Sequence, residues 1–158
     1  MTRWPLVFLA ISSLPAQEID RVAVLNDLAE LLAIPNVARD LPNMERNADK
    51  IIQMYALRGV TLRKLDAAGG PPALYGELAA PNAKRTLLLY AHYDGQPVVS
   101  SQWRHAGPFD PIMLDSNGEK IPWPGPGATL GEEWRVQARS SSDDKAPIIA
   151  FLAALDSG

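Results

Sequence analysis

Two short stretches of the chain carry the residue types that metal-assisted hydrolysis requires. In LLLYAHYDGQPV, residues 87–98, an apolar run leads into His92, Tyr93 and Asp94 before Gly95 and Pro97 break it. Side chains alternate along a strand, so His92 and Asp94 share one face and Tyr93 takes the other. At the carboxyl end of a central strand, that face opens on the crevice where α/β proteins seat ligands. A neutral imidazole there can bind a metal through one nitrogen. A carboxylate two residues on can hold the other ring nitrogen and fix the ring's orientation.

The second stretch, ARSSSDDKAP, puts Asp143 and Asp144 after a strand and directly before a helix. A helix N-terminus welcomes one carboxylate as a cap. Two of them, followed by Lys145, exceed what a cap needs. An acidic residue at a strand end can bridge two cations, which a paired zinc site requires beside its histidine. Taken singly, each stretch is also what an ordinary strand-end histidine or helix cap looks like.

Other reactive groups are few. The chain has two histidines and no cysteine, which excludes disulfides, thiolate metal sites and cysteine nucleophiles. His105, between Arg104 and Ala106, reads as a solvated loop histidine. Ser140, Ser141 and Ser142 stand in no Gly-x-Ser-x-Gly elbow, so they read as small turn residues rather than a serine hydrolase nucleophile. Glu132 and Glu133 follow the turn residue Gly131 and read as a solvated loop. A net charge of -3 and no basic run leave no footprint for nucleic acid.

The elements that must position these residues are legible in the periodicity. Ile19, Val22, Leu25, Leu28, Leu31 and Leu32 fall at helical spacing over residues 18–33, with Pro35 as the stop. A second helix is predicted in PNMERNADKIIQMYALRG, with Asn43 as N-cap, an apolar face of Ile51, Ile52, Tyr55 and Leu57, and Gly59 at its C-terminus. VTLRKLD and ALYGELA read as strands joined by Gly69, Gly70, Pro71 and Pro72. RTLLLYAHYD reads as the central strand and EWRVQARS as another, with a hairpin around Asn117-Gly118 in the loop-rich stretch between them. KAPIIAFLAALD reads as a helix with Pro147 in its first turn. This mixture argues for an α/β layered sheet. The last helix runs to the terminal LDSG with no closing element, so the chain reads as the front portion of something longer.

The first residues, MTRWPLVFLAISSLPAQE, have Arg3, a short apolar run and small residues up to Ala16. They read as a secretory signal over residues 1–16, with the catalytic-domain portion at 17–158. The run is too short to span a bilayer. A secreted or periplasmic location is expected, with a cytoplasmic one as the alternative.

In order along the chain, the motifs are a helix running into Ile34-Pro35, then His92-Tyr93-Asp94, Trp103, Pro108-Phe109, and Arg139 through Lys145. This ordered set resembles the zinc metallopeptidase family of aminoacylase-1, carboxypeptidase G, succinyl-diaminopimelate desuccinylase and the carnosine dipeptidases. The resemblance runs from about residue 20 to the end. It implies a three-layer α/β catalytic domain with a mostly parallel central sheet, incomplete in this chain. It makes His92 a ligand of one zinc, Asp143 the carboxylate bridging two zinc ions, and Asp94 the catalytic-site carboxylate that partners the His92 ring. Asp144 and Lys145 become residues that shape the turn.

The implied reaction is hydrolysis of an amide in a dipeptide or N-acyl amino acid. The implied general base, further ligands and dimerisation domain all come later in the family's order than Gly158. The fragment alone is therefore expected to be inactive, and homodimerisation is expected through a domain it lacks. Two departures concern the turn. Ala138-Arg139-Ser140 stands where the family has Gly-Arg-Gly, and Ala146 stands where Gly is usual. Two alternatives stay open. One is a co-catalytic zinc aminopeptidase, which Lys145-Ala146-Pro147 disfavours. The other is a non-catalytic binding domain that retains the fold.

Overall fold

The computed structural model describes residues 18–157, so the expected signal segment lies outside the described residues. Helix α1 spans Arg21–Leu32, and its start is set by Asp20, whose carboxylate accepts from the backbone N–H groups of Val22 and Ala23. Helix α2 spans Leu41–Ala56. Its cap is Asp40 rather than Asn43, which lies in the first turn and donates both its backbone and side-chain N–H to the Asp40 carboxylate. Pro42 therefore falls in that first turn, where a missing N–H costs nothing. Gly59 closes the C-terminal end at φ 75°, a left-handed conformation that glycine adopts without strain.

Strands β1 (Leu62–Leu65) and β2 (Ala73–Gly76) pair antiparallel, with Leu62 opposite Gly76. A second sheet has the order β4-β3-β5, built from β3 (Ile112–Leu114), β4 (Lys120–Ile121) and β5 (Arg135–Gln137). The expected hairpin joins β3 to β4. Asp115 accepts from the N–H of Asn117 and of Glu119 across its turn, and Gly118 takes φ 79°. Helix α3 spans Lys145–Asp156.

The α/β class stands, with helices and strands mixed as expected for part of such a domain. Every ladder among the described residues is antiparallel, and the one parallel contact is an isolated bridge between Val37 and Gly95. The predicted central strand RTLLLYAHYD joins no ladder. A strand exists only through its neighbours' hydrogen bonds, and among the described residues no backbone hydrogen bond pairs this segment with another before Gly95. Leu87, Leu88 and Tyr90 are accordingly 81%, 85% and 79% exposed. The run has the hydrophobicity of a buried strand, but burial requires partners that the described residues do not supply.

The core lies among the three helices. Leu28, Leu31 and Leu32 of α1 meet Ile51 and Met54 of α2 and Ile148, Ile149 and Leu152 of α3. Val136, Ala91 and Tyr93 pack against this cluster, which seats the His92 segment on it. Arg58, just past α2, ties the helices together at one end. Its guanidinium makes two parallel hydrogen bonds to Asp156 at 2.8 and 2.7 Å and a third to Asp27 at 2.8 Å. Forked, charge-assisted pairs of this kind are the stronger ones. Arg58→Met is expected to lower unfolding stability by about 1–3 kcal/mol, measured by urea denaturation. An unchanged midpoint would mean that the ion pairs merely decorate a surface.

Candidate metal centre

His92 and Asp143 are 51 positions apart and meet in space. The His92 backbone follows Ala91, which packs on the helical core, so the imidazole leaves the core at the segment's end. Asp143 lies in the turn between β5 and α3, and its peptide bond to Asp144 is cis. His92 Nε2 is 2.9 Å from Asp143 Oδ1. On the other side of the ring, Nδ1 lies 3.1 Å from Asp94 Oδ1 and 3.2 Å from the Asp94 carbonyl. Asp144 turns away from this pocket of charge, and its Oδ2 accepts from the His92 backbone N–H at 3.1 Å. Asp144 stands at the N-terminus of α3 but makes no side-chain cap bond to the helix, because its carboxylate is committed to His92.

Both ring nitrogens thus face carboxylate oxygens. An imidazole with its proton on Nδ1 satisfies Asp94 but leaves a lone pair facing Asp143. Two species resolve that confrontation, a second proton or a cation between Nε2 and Oδ1. Zinc ligands sit about 2.0–2.2 Å from the metal, so tetrahedral neighbours are roughly 3.3 Å apart. A few tenths of an ångström of opening would therefore admit a metal. The Asp143 side chain is 81% exposed, which leaves its second oxygen open to solvent. The donor set fits one nitrogen and one carboxylate ligand, with Asp94 orienting the ring. Among the described residues, no group of three or more His, Cys, Asp or Glu side chains is arranged to hold a metal by itself.

The same geometry sets the protonation of His92. Desolvation pulls its pKa down, but the hydrogen bonds to Asp94 and Asp143 outweigh it, helped by the charges of Asp94 and Asp144. The net shift is upward from 6.5. Lys145 shows the opposite behaviour. It is fully buried, and burial pushes its ammonium down to about 7. Its Nζ donates to the carbonyls of Leu31 at 2.7 Å and Ile34 at 2.9 Å, two bonds that a neutral amine can also make. It is therefore an internal strut that reaches no substrate.

The remaining sequence candidates lie apart from these contacts. His105 is exposed in its loop, and Glu132 and Glu133 are exposed beside Gly131. The turn from Ala138 to Ser140 accommodates its missing glycines at a cost, because Ser140 takes φ 62°. Left-handed conformation in a non-glycine residue costs about 1–2 kcal/mol. Ser140 Oγ is retained in a buried contact with Asn36 at 3.0 Å. Asn36 and Asn47 are the residues that sequence reasoning missed. Both are fully buried, and the only signal for Asn36 was its place in the Ile-Pro-Asn turn after α1. A cleft of about 420 Å³, lined by Val99, Trp103, Arg104, Gln137 and Arg139, includes neither His92 nor Asp143.

No protein-family model matches the chain. It is 24% identical over 141 residues to a Cys-Gly metallodipeptidase of Schizosaccharomyces pombe, covering 82% of this chain and 26% of that protein. It is 33% identical over 145 residues to a formate–tetrahydrofolate ligase of Desulforapulum autotrophicum, covering 80% of this chain and 23% of that one. The structural match sides with the peptidase. The crystal structure of an M20 family metallo-carboxypeptidase, Sso-CP2, from Sulfolobus solfataricus aligns with a TM-score of 0.63 at 30% identity. It covers 84% of this chain and 26% of that one, so the chain spans about a quarter of the length of the relatives it matches.

A cation at Nε2 must displace the second proton of His92. Because the folded pKa lies above 6.5, the charged imidazolium stabilises the metal-free fold fully below 6.5 and loses that effect as pH rises through the folded value. Zinc binding should therefore release more protons at about pH 6 than at about pH 8. Calorimetric titration in buffers of different ionisation enthalpy checks this. Proton release that is the same at both pH values, or unaltered in His92→Ala, would contradict His92 as the ligand.

Proposed function

We propose that the chain belongs to the M20 metallopeptidase family, a reading that its likeness to the Cys-Gly metallodipeptidase and the M20 carboxypeptidase supports, and that it forms part of a metal-dependent peptidase. Its proposed substrates are dipeptides or N-acyl amino acids, and its proposed cofactor is a pair of zinc ions. The observation that carries this reading is the meeting of His92 Nε2 and Asp143 Oδ1 at 2.9 Å, with Asp94 behind the ring. A serine mechanism has no comparable support, since the Ser140 hydroxyl is buried against Asn36 rather than facing His92.

In this reading His92 binds through Nε2 while Asp94 keeps the proton on Nδ1, which fixes the tautomer and makes the imidazole a stronger donor. Asp143, the proposed bridging carboxylate, offers one oxygen beside His92 and one toward solvent. Asp144 accepts from the His92 main-chain N–H, one link between the two turns. Bound zinc supplies Lewis-acid polarisation of the scissile carbonyl and acidifies water at neutral pH. The proton must pass to a general base, a role worth about 10²–10⁴ in rate. That base, with the ligands that complete the site, is proposed to belong to the three quarters of the relatives' length that this chain does not span.

Two outcomes follow. The chain by itself should hydrolyse no dipeptide or N-acyl amino acid with added zinc, whereas a protein spanning the family's full length should. In that longer protein Asp94→Ala should lower metal affinity or activity by about 10–100-fold without unfolding it, checked by metal titration and steady-state assay. Turnover by the chain alone would show that the catalytic apparatus has been misplaced, and wild-type behaviour of Asp94→Ala would reduce Asp94 to a turn residue.

A further inference from the structure

Asn36 is fully buried in the turn after α1 and touches both segments that carry the site. Its side-chain Nδ2 donates to the Tyr93 carbonyl at 2.9 Å and to Ser140 Oγ at 3.0 Å. Its own carbonyl accepts from the Gly95 N–H at 2.6 Å, and the Gly95 carbonyl accepts from Ala38 N–H at 3.2 Å. The His92-Tyr93-Asp94 turn is therefore held on either side of Asp94. The Ser140 carbonyl in turn accepts from Lys145 N–H at 3.2 Å, across the turn containing Asp143. Packing is close enough that a Cβ on Gly95 would lie 2.8 Å from Ser140 Oγ and 3.0 Å from the Asn36 amide.

We propose that Asn36 is a positioning residue that sets the spacing of His92 and Asp143 by binding the turn of each. The inference rests on reading those two residues as metal ligands. The direct link between them is the one a cation would replace, since it would occupy both Nε2 and Oδ1. Once it is replaced, the spacing must be held by groups that the metal does not claim. Asn36 provides them, buried and bonded to the main chain of one turn and the side chain of the other. Its two N–H groups are committed to these acceptors.

The test titrates cobalt(II) into the chain, following its absorption, for wild type, Asn36→Leu, Ser140→Gly and His92→Ala, with thermal unfolding of each without metal. Asn36→Leu keeps the approximate size and removes both donors. It is expected to weaken cobalt affinity by about 10–100-fold at temperatures where the variant is fully folded. Ser140→Gly removes one of the two acceptors while relieving the strained φ of 62°. It is expected to keep its unfolding temperature and still bind cobalt more weakly, a split that a merely structural role does not produce. If Asn36→Leu fails to fold, Ser140→Gly decides. Wild-type affinity in the folded Asn36→Leu, or in Ser140→Gly when that variant alone decides, with binding lost in His92→Ala, would overturn this inference alone. Binding untouched by His92→Ala would overturn the ligand reading and this inference with it.

Discussion

The structure depends on satisfying one buried stretch of backbone, the turn that follows α1. A buried carbonyl without a partner is costly, and a helix C-terminus ends with several. Here the carbonyls of Leu31, Ile34, Pro35 and Asn36 are met from other parts of the fold. Lys145 of α3 donates to Leu31 and Ile34, Asn47 of α2 to Pro35, and the Gly95 N–H to Asn36. The turn is thus the point at which α1, α2, α3 and the His92 segment are joined by directional bonds. Apolar packing of Leu31, Leu32 and Leu152 brings the helices together but does not fix their register. The hydrogen bonds do.

From that joint the site projects toward solvent. The groups that hold it are buried and largely uncharged, while the groups that would do chemistry are half-buried or exposed and carry charge. Lys145 illustrates the division. Buried two residues after Asp143, it points inward to carbonyls, so its charge does not sit at the carboxylate surface. His92 gathers three aspartates instead: Asp94 and Asp143 at its ring, and Asp144 at its backbone. Three acids around one imidazole favour positive charge at that point, whether it comes from a proton or a metal.

The elements with strong local signals were legible in the sequence. The helices, the first hairpin and the Asn117-Gly118 turn needed only periodicity and turn chemistry, and Pro147 was rightly tolerated in the first turn of α3. The cap of α2 was misplaced by three residues because Asp40 and Asn43 are both good caps, and the carboxylate outcompeted the amide. The central strand failed for a different reason. Hydrophobicity at residues 86–91 reports what surface a segment needs covered, but not whether the cover is at hand. In the site, the meeting of His92 and Asp143 was expected from the family resemblance, since either stretch taken singly is ordinary. Asn36 was not, since a buried asparagine earns its place through partners at Tyr93 and Ser140, far along the chain. The same distance explains Ser140, which keeps a strained backbone where glycine would be easier.

His92 and Asp143 are proposed to share one metal ion. The most direct measurement is anomalous diffraction at the zinc edge from crystals of the chain soaked in zinc. A peak is expected about 2.0–2.2 Å from both His92 Nε2 and an Asp143 carboxylate oxygen, with Asp94 still at Nδ1. A peak elsewhere, with His92 and Asp143 still bonded directly to each other, would contradict the shared ion.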